Sequence, residues 1–133
     1  MIDFIRMRKL MRELPNIEWD IARLNANATR VTSYITGMPR NAGGNHQEDA
    51  YIALADATDA YRAALTELEE MREELDPMID MLDDINDQGI MRMRYIKGYR
   101  PDEIAAILEM TRRNVYYHLS HSERIINRAK QNL

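Results

Sequence analysis

Cysteine is absent from the 133 residues, which excludes a disulfide framework and a thiolate metal site. Glycine and proline number only five and four, and valine only two. The composition therefore leans towards helix, dominated by Ala, Leu, Met, Glu and Arg. No apolar run approaches the roughly 20 residues of a membrane span. The opening "MIDFIRMRKLMREL" mixes charges through an amphipathic pattern without a signal-peptide core. These absences predict a soluble, intracellular chain with no membrane partner, long enough to bury a real core as one domain or as a small domain with a helical extension.

Charge is scarce in net terms, at −4, and that average hides a segregation. Residues 1–47 carry seven Lys/Arg against four Asp/Glu, residues 48–87 two against fourteen, and residues 88–133 nine against four. A basic C-terminal block on an otherwise acidic chain is the electrostatic footprint of a polyanion partner, because Lys and Arg that neutralise phosphates release condensed counterions. The fourteen acids read more simply as a solvated helix face than as a dedicated site for a basic partner.

Apolar residues recur at Met7, Leu10, Leu14, Ile17, Ile21, Leu24, Ala28, Val31 and Ile35, with alternating spacings of three and four that suit a helix packing along a seam. Pro15 interrupts the run, which predicts a short helix over about 2–13 and a longer one over about 16–36. Thr36 to Gln47, "TGMPRNAGGNHQ", concentrates Gly, Pro and Asn and reads as a loop. A second seam runs from Ala50 through Tyr61, Leu68 and Leu75 to Ile85. Two such helices joined by one loop predict a helical hairpin, with Ala50, Ala57 and Ala64 allowing close approach. Asp76-Pro77 reads as an N-cap and first-turn proline that ends the long helix and opens a short one over about 77–86. The domain reading is therefore 1–76 as a packing or oligomerisation region and 77–133 as a second unit.

The C-terminal part resolves into shorter pieces. A helix is predicted from about Gln88 to Ile96, stopped by Gly98 in a left-handed conformation. Pro101 opens the next helix, with Ile104, Ala105 and Leu108 on one side. Thr111 is placed to cap a last helix carrying Val115 and Leu119 inward. Polar and aromatic residues crowd its outer surface: Arg112, Arg113, Asn114, Tyr116, Tyr117 and His118. A helix, a tight turn and a capped basic helix make a helix-turn-helix. Its recognition helix, about 112–121, enters the major groove with its N-terminal half, where Arg pairs with guanine and Asn with adenine. Those six residues are the base-contact candidates, and double-stranded DNA is the expected partner. Any three-helix bundle also contains such a turn; here the spacing, the cap and the basic outer face agree independently.

"IMRMRYIKGYRPDEIAAILEMTRRNVYYHLSHSERII", Ile90 to Ile126, resembles the promoter-recognition domain of bacterial sigma factors, with its Arg-Tyr pair, glycine, "EIA" helix and recognition helix with a buried valine. Over the whole chain, including "GMPR" in the loop, the sequence looks more like the sigma-like ArpU/RinA-type late-gene regulators of phages and prophages of Gram-positive bacteria. The resemblance implies sequence-specific DNA binding and transcriptional control in the cytoplasm of a bacterial host, with host RNA polymerase as a further candidate partner. It implies scaffold or phosphate-contact roles for Glu103, Arg94 and Tyr95. Lys97, Arg100, Thr111, His121 and Arg124 complete the phosphate-contact candidates with Arg94, and Arg92 and Arg128 belong to the same basic set. Glu109 stands where the pattern has glycine, which predicts a strained left-handed residue or an altered turn.

Other classes fare less well. Catalytic serine, phosphate-loop and dinucleotide signatures are missing, so no enzyme activity and no cofactor are expected. His118-x-x-His121 puts two imidazoles on one helical face, but no third ligand follows at a telling distance, and no metal is expected. The alternative reading is a phage DNA-packaging protein of the terminase small subunit type, although those usually carry the DNA-binding part first. The seam from about 48 to 75 would span roughly 42 Å against roughly 30 Å for its partner. Either the 2–13 helix covers the excess or a second chain does; the homodimer is the favoured expectation.

Overall fold

A computed structural model of the protein describes the backbone of residues 1–37 and 44–131 and the side chains of residues 1–27 and 48–129. It is all-α, with five helices and no strand among the described residues: α1 Phe4–Gly37, α2 Gly44–Ile79, α3 Ile85–Met91, α4 Pro101–Leu108 and α5 Arg112–Gln131. A π-helical turn, Arg92–Ile96, continues α3 without a break. The packing divides the chain into two compact units, Met1–Met11 with Leu68–Leu133, and Arg12–Glu67. The units divide after residues 11 and 67. The first turns of α1 join the C-terminal unit because Phe4, Met7 and Leu10 recur every three residues as one buried face.

Both prolines expected to end a helix lie inside one. Pro15 sits in α1 and Pro77 in α2. Each is exposed, so water can take over the carbonyl that loses its donor one turn earlier. Beyond Pro77 the seam continues to Ile79, which is fully buried, and that burial offsets the local cost. The true cap comes later. Asp84 has an extended backbone and accepts from the Asn86 N–H at 2.8 Å, which starts α3 at Ile85, three residues before the expected Gln88. Of the expected loop 36–47, residues 36–37 and 44–47 are helical and residues 38–43 lie outside the described residues.

In the unit Arg12–Glu67, Leu14 and Ala64 are buried, and the Tyr61 hydroxyl donates to Glu18 Oε1 at 2.8 Å, tying α2 to α1. In the other unit the core runs from Leu68 and Leu75 of α2 through Ile90, Met91 and Tyr95 to Ile104 of α4 and Val115, Leu119 and Ile126 of α5. The π turn closes with the Lys97 N–H on the Arg92 carbonyl at 2.9 Å, and Gly98 then reverses the chain with φ 81°, the left-handed stop that its position predicts. Arg72 Nε covers the Tyr95 carbonyl at 2.6 Å, one of the acceptors that a helix end leaves open.

Candidate nucleic-acid interface

The backbone around α4 and α5 is set by local chemistry. Arg100 is extended and precedes Pro101, whose missing N–H costs nothing at a first helical position. Glu103 reaches back to the Arg100 N–H at 3.2 Å and to its Nε at 3.0 Å. Those contacts, the backbone N–H first, hold its carboxyl below the usual range. At the far end Glu109 adopts a left-handed conformation, φ 54° and ψ 44°, and both its own N–H and that of Met110 turn back to the Ala105 carbonyl. Two residues later Thr111 Oγ1 accepts from the Asn114 N–H at 3.1 Å, which caps α5. Ile104 and Ala105 are buried as expected; Leu108, the last residue of α4, is 41% exposed.

A left-handed non-glycine residue costs about 1–2 kcal/mol, and glycine returns roughly 0.5–1 kcal/mol of that in unfolded-chain entropy. Glu109→Gly is therefore expected to stabilise the chain by up to about 1 kcal/mol. A raised urea midpoint with unchanged slope is the expected result; a lowered midpoint would show that Glu109 carries a compensating contact.

Above this frame, Arg112, Arg113, Asn114, Tyr116 and Tyr117 are all exposed. Val115, Leu119, Ser122 and Ile126 form the buried stripe of α5. On the opposite edge Arg113, Tyr117, Ser120, Arg124 and Arg128 follow at helical spacing, every one exposed. Arg112 Nε donates to Asp102 Oδ1 across the turn. That bond raises the guanidinium pKa and lowers the carboxyl. His121 lies parallel to the Tyr117 ring, with centroids 5.9 Å apart.

His118 is the base-contact candidate that the structure turns away from this surface. Its side chain is 17% exposed and Nδ1 stands 2.6 Å from Oδ1 of Asp87, which is buried on α3. A buried carboxylate needs a hydrogen-bonding partner, and the imidazole supplies it.

The phosphate candidates separate in the same way. Lys97, Arg100 and Arg124 are exposed, the last with Nε on the Ser120 carbonyl at 3.3 Å. Thr111 spends its hydroxyl on the cap. Arg94 is half-buried, donates to the Tyr99 carbonyl at 3.1 Å and lies over the Tyr95 ring at 5.9 Å; burial pulls its pKa down. Arg94 is thus placed as scaffold. Arg92 pairs with Asp80 at 2.5 Å and Asp76 at 3.3 Å, at the acidic end of α2.

Two arrangements escape sequence reasoning. One is the Asp102–Arg112 pair. The other ties α1 to α5: Tyr95 donates to Glu123 Oε1, and Arg8 Nη1 donates to the same oxygen at 2.8 Å and to the Tyr95 hydroxyl at 2.9 Å. Beside it the Ile2 N–H donates to Asn127 Oδ1 at 3.2 Å. No local signal links residues so far apart in sequence.

The two histidines considered as a metal pair have different partners, His118 on Asp87 and His121 on Tyr117, and Glu123 is held by Tyr95 and Arg8. The His46 side chain lies outside the described residues. Side chains that could supply metal ligands do meet elsewhere: one atom each of Asp84, Asp87 and His118 lie within 4.8 Å of one another. All three residues are already engaged, Asp84 as the α3 cap and Asp87 and His118 with each other. Among the described residues no helix is long and apolar enough to cross a membrane.

A family model described as "Protein of unknown function (DUF1492)" matches residues 30–127, and the chain belongs to that family. Neither a curated protein nor a solved structure matches.

Proposed function

We propose that this member of the DUF1492 family is a sequence-specific DNA-binding regulator. In this reading α4, the turn at Glu109 and α5 act as a helix-turn-helix, with the first turns of α5 in the major groove. The carrying observation is the capped start of α5, where Arg112, Arg113, Asn114 and Tyr117 are exposed above a buried stripe that fixes their directions. Rigid presentation of bidentate donors is what base readout requires. The exposed edge from Arg113 to Arg128, with Lys97 and Arg100 nearby in sequence, supplies cations for the phosphate backbone.

The net charge of −4 does not oppose this reading, since the acids concentrate in residues 48–87. α1 and α2 then form a helical hairpin that positions or pairs the DNA-binding part. The resemblance to sigma-like phage regulators agrees with that division. Selection of bound duplexes from a random pool tests the reading. An enriched motif is the expected result, and enrichment of none would contradict it. On the enriched duplex, Arg113→Ala is expected to cost about 1–3 kcal/mol of binding if it reads a base, with an unchanged melting temperature. Equal loss on random DNA would make Arg113 a phosphate contact instead.

A further inference from the structure

Asp102 is the second residue of α4 and Arg112 the first of α5, and the turn brings Asp102 Oδ1 onto Arg112 Nε. The two side chains are 55% and 64% exposed. An ion pair so exposed contributes little to stability, and the neighbouring Arg100 makes a pair of its own with Glu103. The pair therefore calls for a reason other than holding the fold.

We infer that Asp102 is a specificity-determining positioning residue of the proposed DNA interface, holding Arg112 by its Nε edge so that its two terminal nitrogens form a fixed fork for one guanine. This inference rests on the DNA-binding reading above. A guanidinium carries five N–H donors in a rigid plane. With Nε engaged, the remaining four sit on the terminal nitrogens, and guanine offers O6 and N7 as a matched pair of acceptors. A free arginine gives up rotamer freedom when it docks; one already restrained gives up less. Its charge also works in the same direction. A carboxylate at a DNA-facing turn repels phosphates, so it weakens binding to every sequence equally while sharpening the response to one base. When the base is not guanine, a fork biased to that direction is left without its acceptors.

The test uses the full chain, the enriched duplex, its single-base variants and a random duplex. Asp102→Ala is expected to reduce discrimination at one G·C pair by roughly two- to fivefold, the scale of an exposed ion pair, while binding to the random duplex stays the same or tightens. Asp102→Asn, whose carbonyl oxygen still accepts from Nε, is expected to keep most of the discrimination. Arg112→Ala should lose the same base pair, and the double variant should lose no more than Arg112→Ala alone. Unchanged discrimination in Asp102→Ala, with the parent chain specific, would overturn the inference and leave DNA binding standing. A loss spread evenly over all base pairs together with a lowered melting temperature would also overturn it, as a mere prop of the turn. Failure of the parent chain to bind any duplex would overturn the DNA-binding reading and this inference with it.

Discussion

Val115→Asp is expected to unfold the C-terminal unit. Val115 is fully buried, one residue past the capped Asn114, at the point where α5 packs against the rest of the core. An ionised carboxylate there has no charge partner; it must either take up a proton at a raised pKa or expose itself by unfolding the helix. Either route costs about 4 kcal/mol or more, a large share of the roughly 5–15 kcal/mol that holds a domain of this size. Val115→Ala separates the effects, since it removes methyl groups without adding charge and should cost only about 1–3 kcal/mol. Thermal unfolding followed by circular dichroism distinguishes the cases. A Val115→Asp melting point within a few degrees of the parent would mean that this face of α5 is not core.

Tyr95→Ala is the second large effect, at about 3–5 kcal/mol. The ring is 1% exposed, tilts against Phe4 at a centroid distance of 5.1 Å, and its hydroxyl joins Arg8 and Glu123. Tyr95→Phe keeps the ring and removes the hydroxyl, and should cost about 1.5–3 kcal/mol, the range for hydrogen bonds to charged groups. The pH dependence follows from the same site. Burial first, and then the Glu123 carboxylate, push the phenol above its ordinary 10.0. The folded chain therefore holds this proton more tightly than the unfolded one, so the contribution is complete below about pH 10 and is lost as pH rises towards the folded value. Urea midpoints measured from pH 8 to 11 should fall at the alkaline end for the parent and fall less for Tyr95→Phe. Parallel curves would remove Tyr95 as the source.

What the sequence makes legible is chiefly the part whose chemistry is local. Gly98, Pro101 and Thr111 each act within a turn of their own position, and each does in the structure what its residue type dictates. The strain at Glu109 was readable for the same reason, as a non-glycine residue at a left-handed turn. Legibility fails where distant partners decide. Pro15 and Pro77 carry strong local stop signals, yet both face solvent and neither ends its helix. The spacing of Phe4, Met7 and Leu10 marks a face without naming what covers it, and nothing in the sequence brings Arg8 to Glu123. His118 is the instructive case at the site itself. It stands three residues after Val115 and four before Ser122, so the helical period alone sets it beside the buried stripe. Its polarity argued outward, but Asp87, buried on α3, holds it in.

The central claim, that α5 and its neighbours bind duplex DNA through a basic surface, is tested most directly by equilibrium binding of the full chain to the enriched duplex across a salt series. Lys97, Arg100, Arg113, Arg124 and Arg128 are exposed cations of this region, and contacts to about five phosphates predict that the logarithm of the association constant falls linearly with the logarithm of salt, with a slope of roughly −4 to −5. Binding that is undetectable at low salt for every duplex tried, or that does not respond to salt, would contradict it.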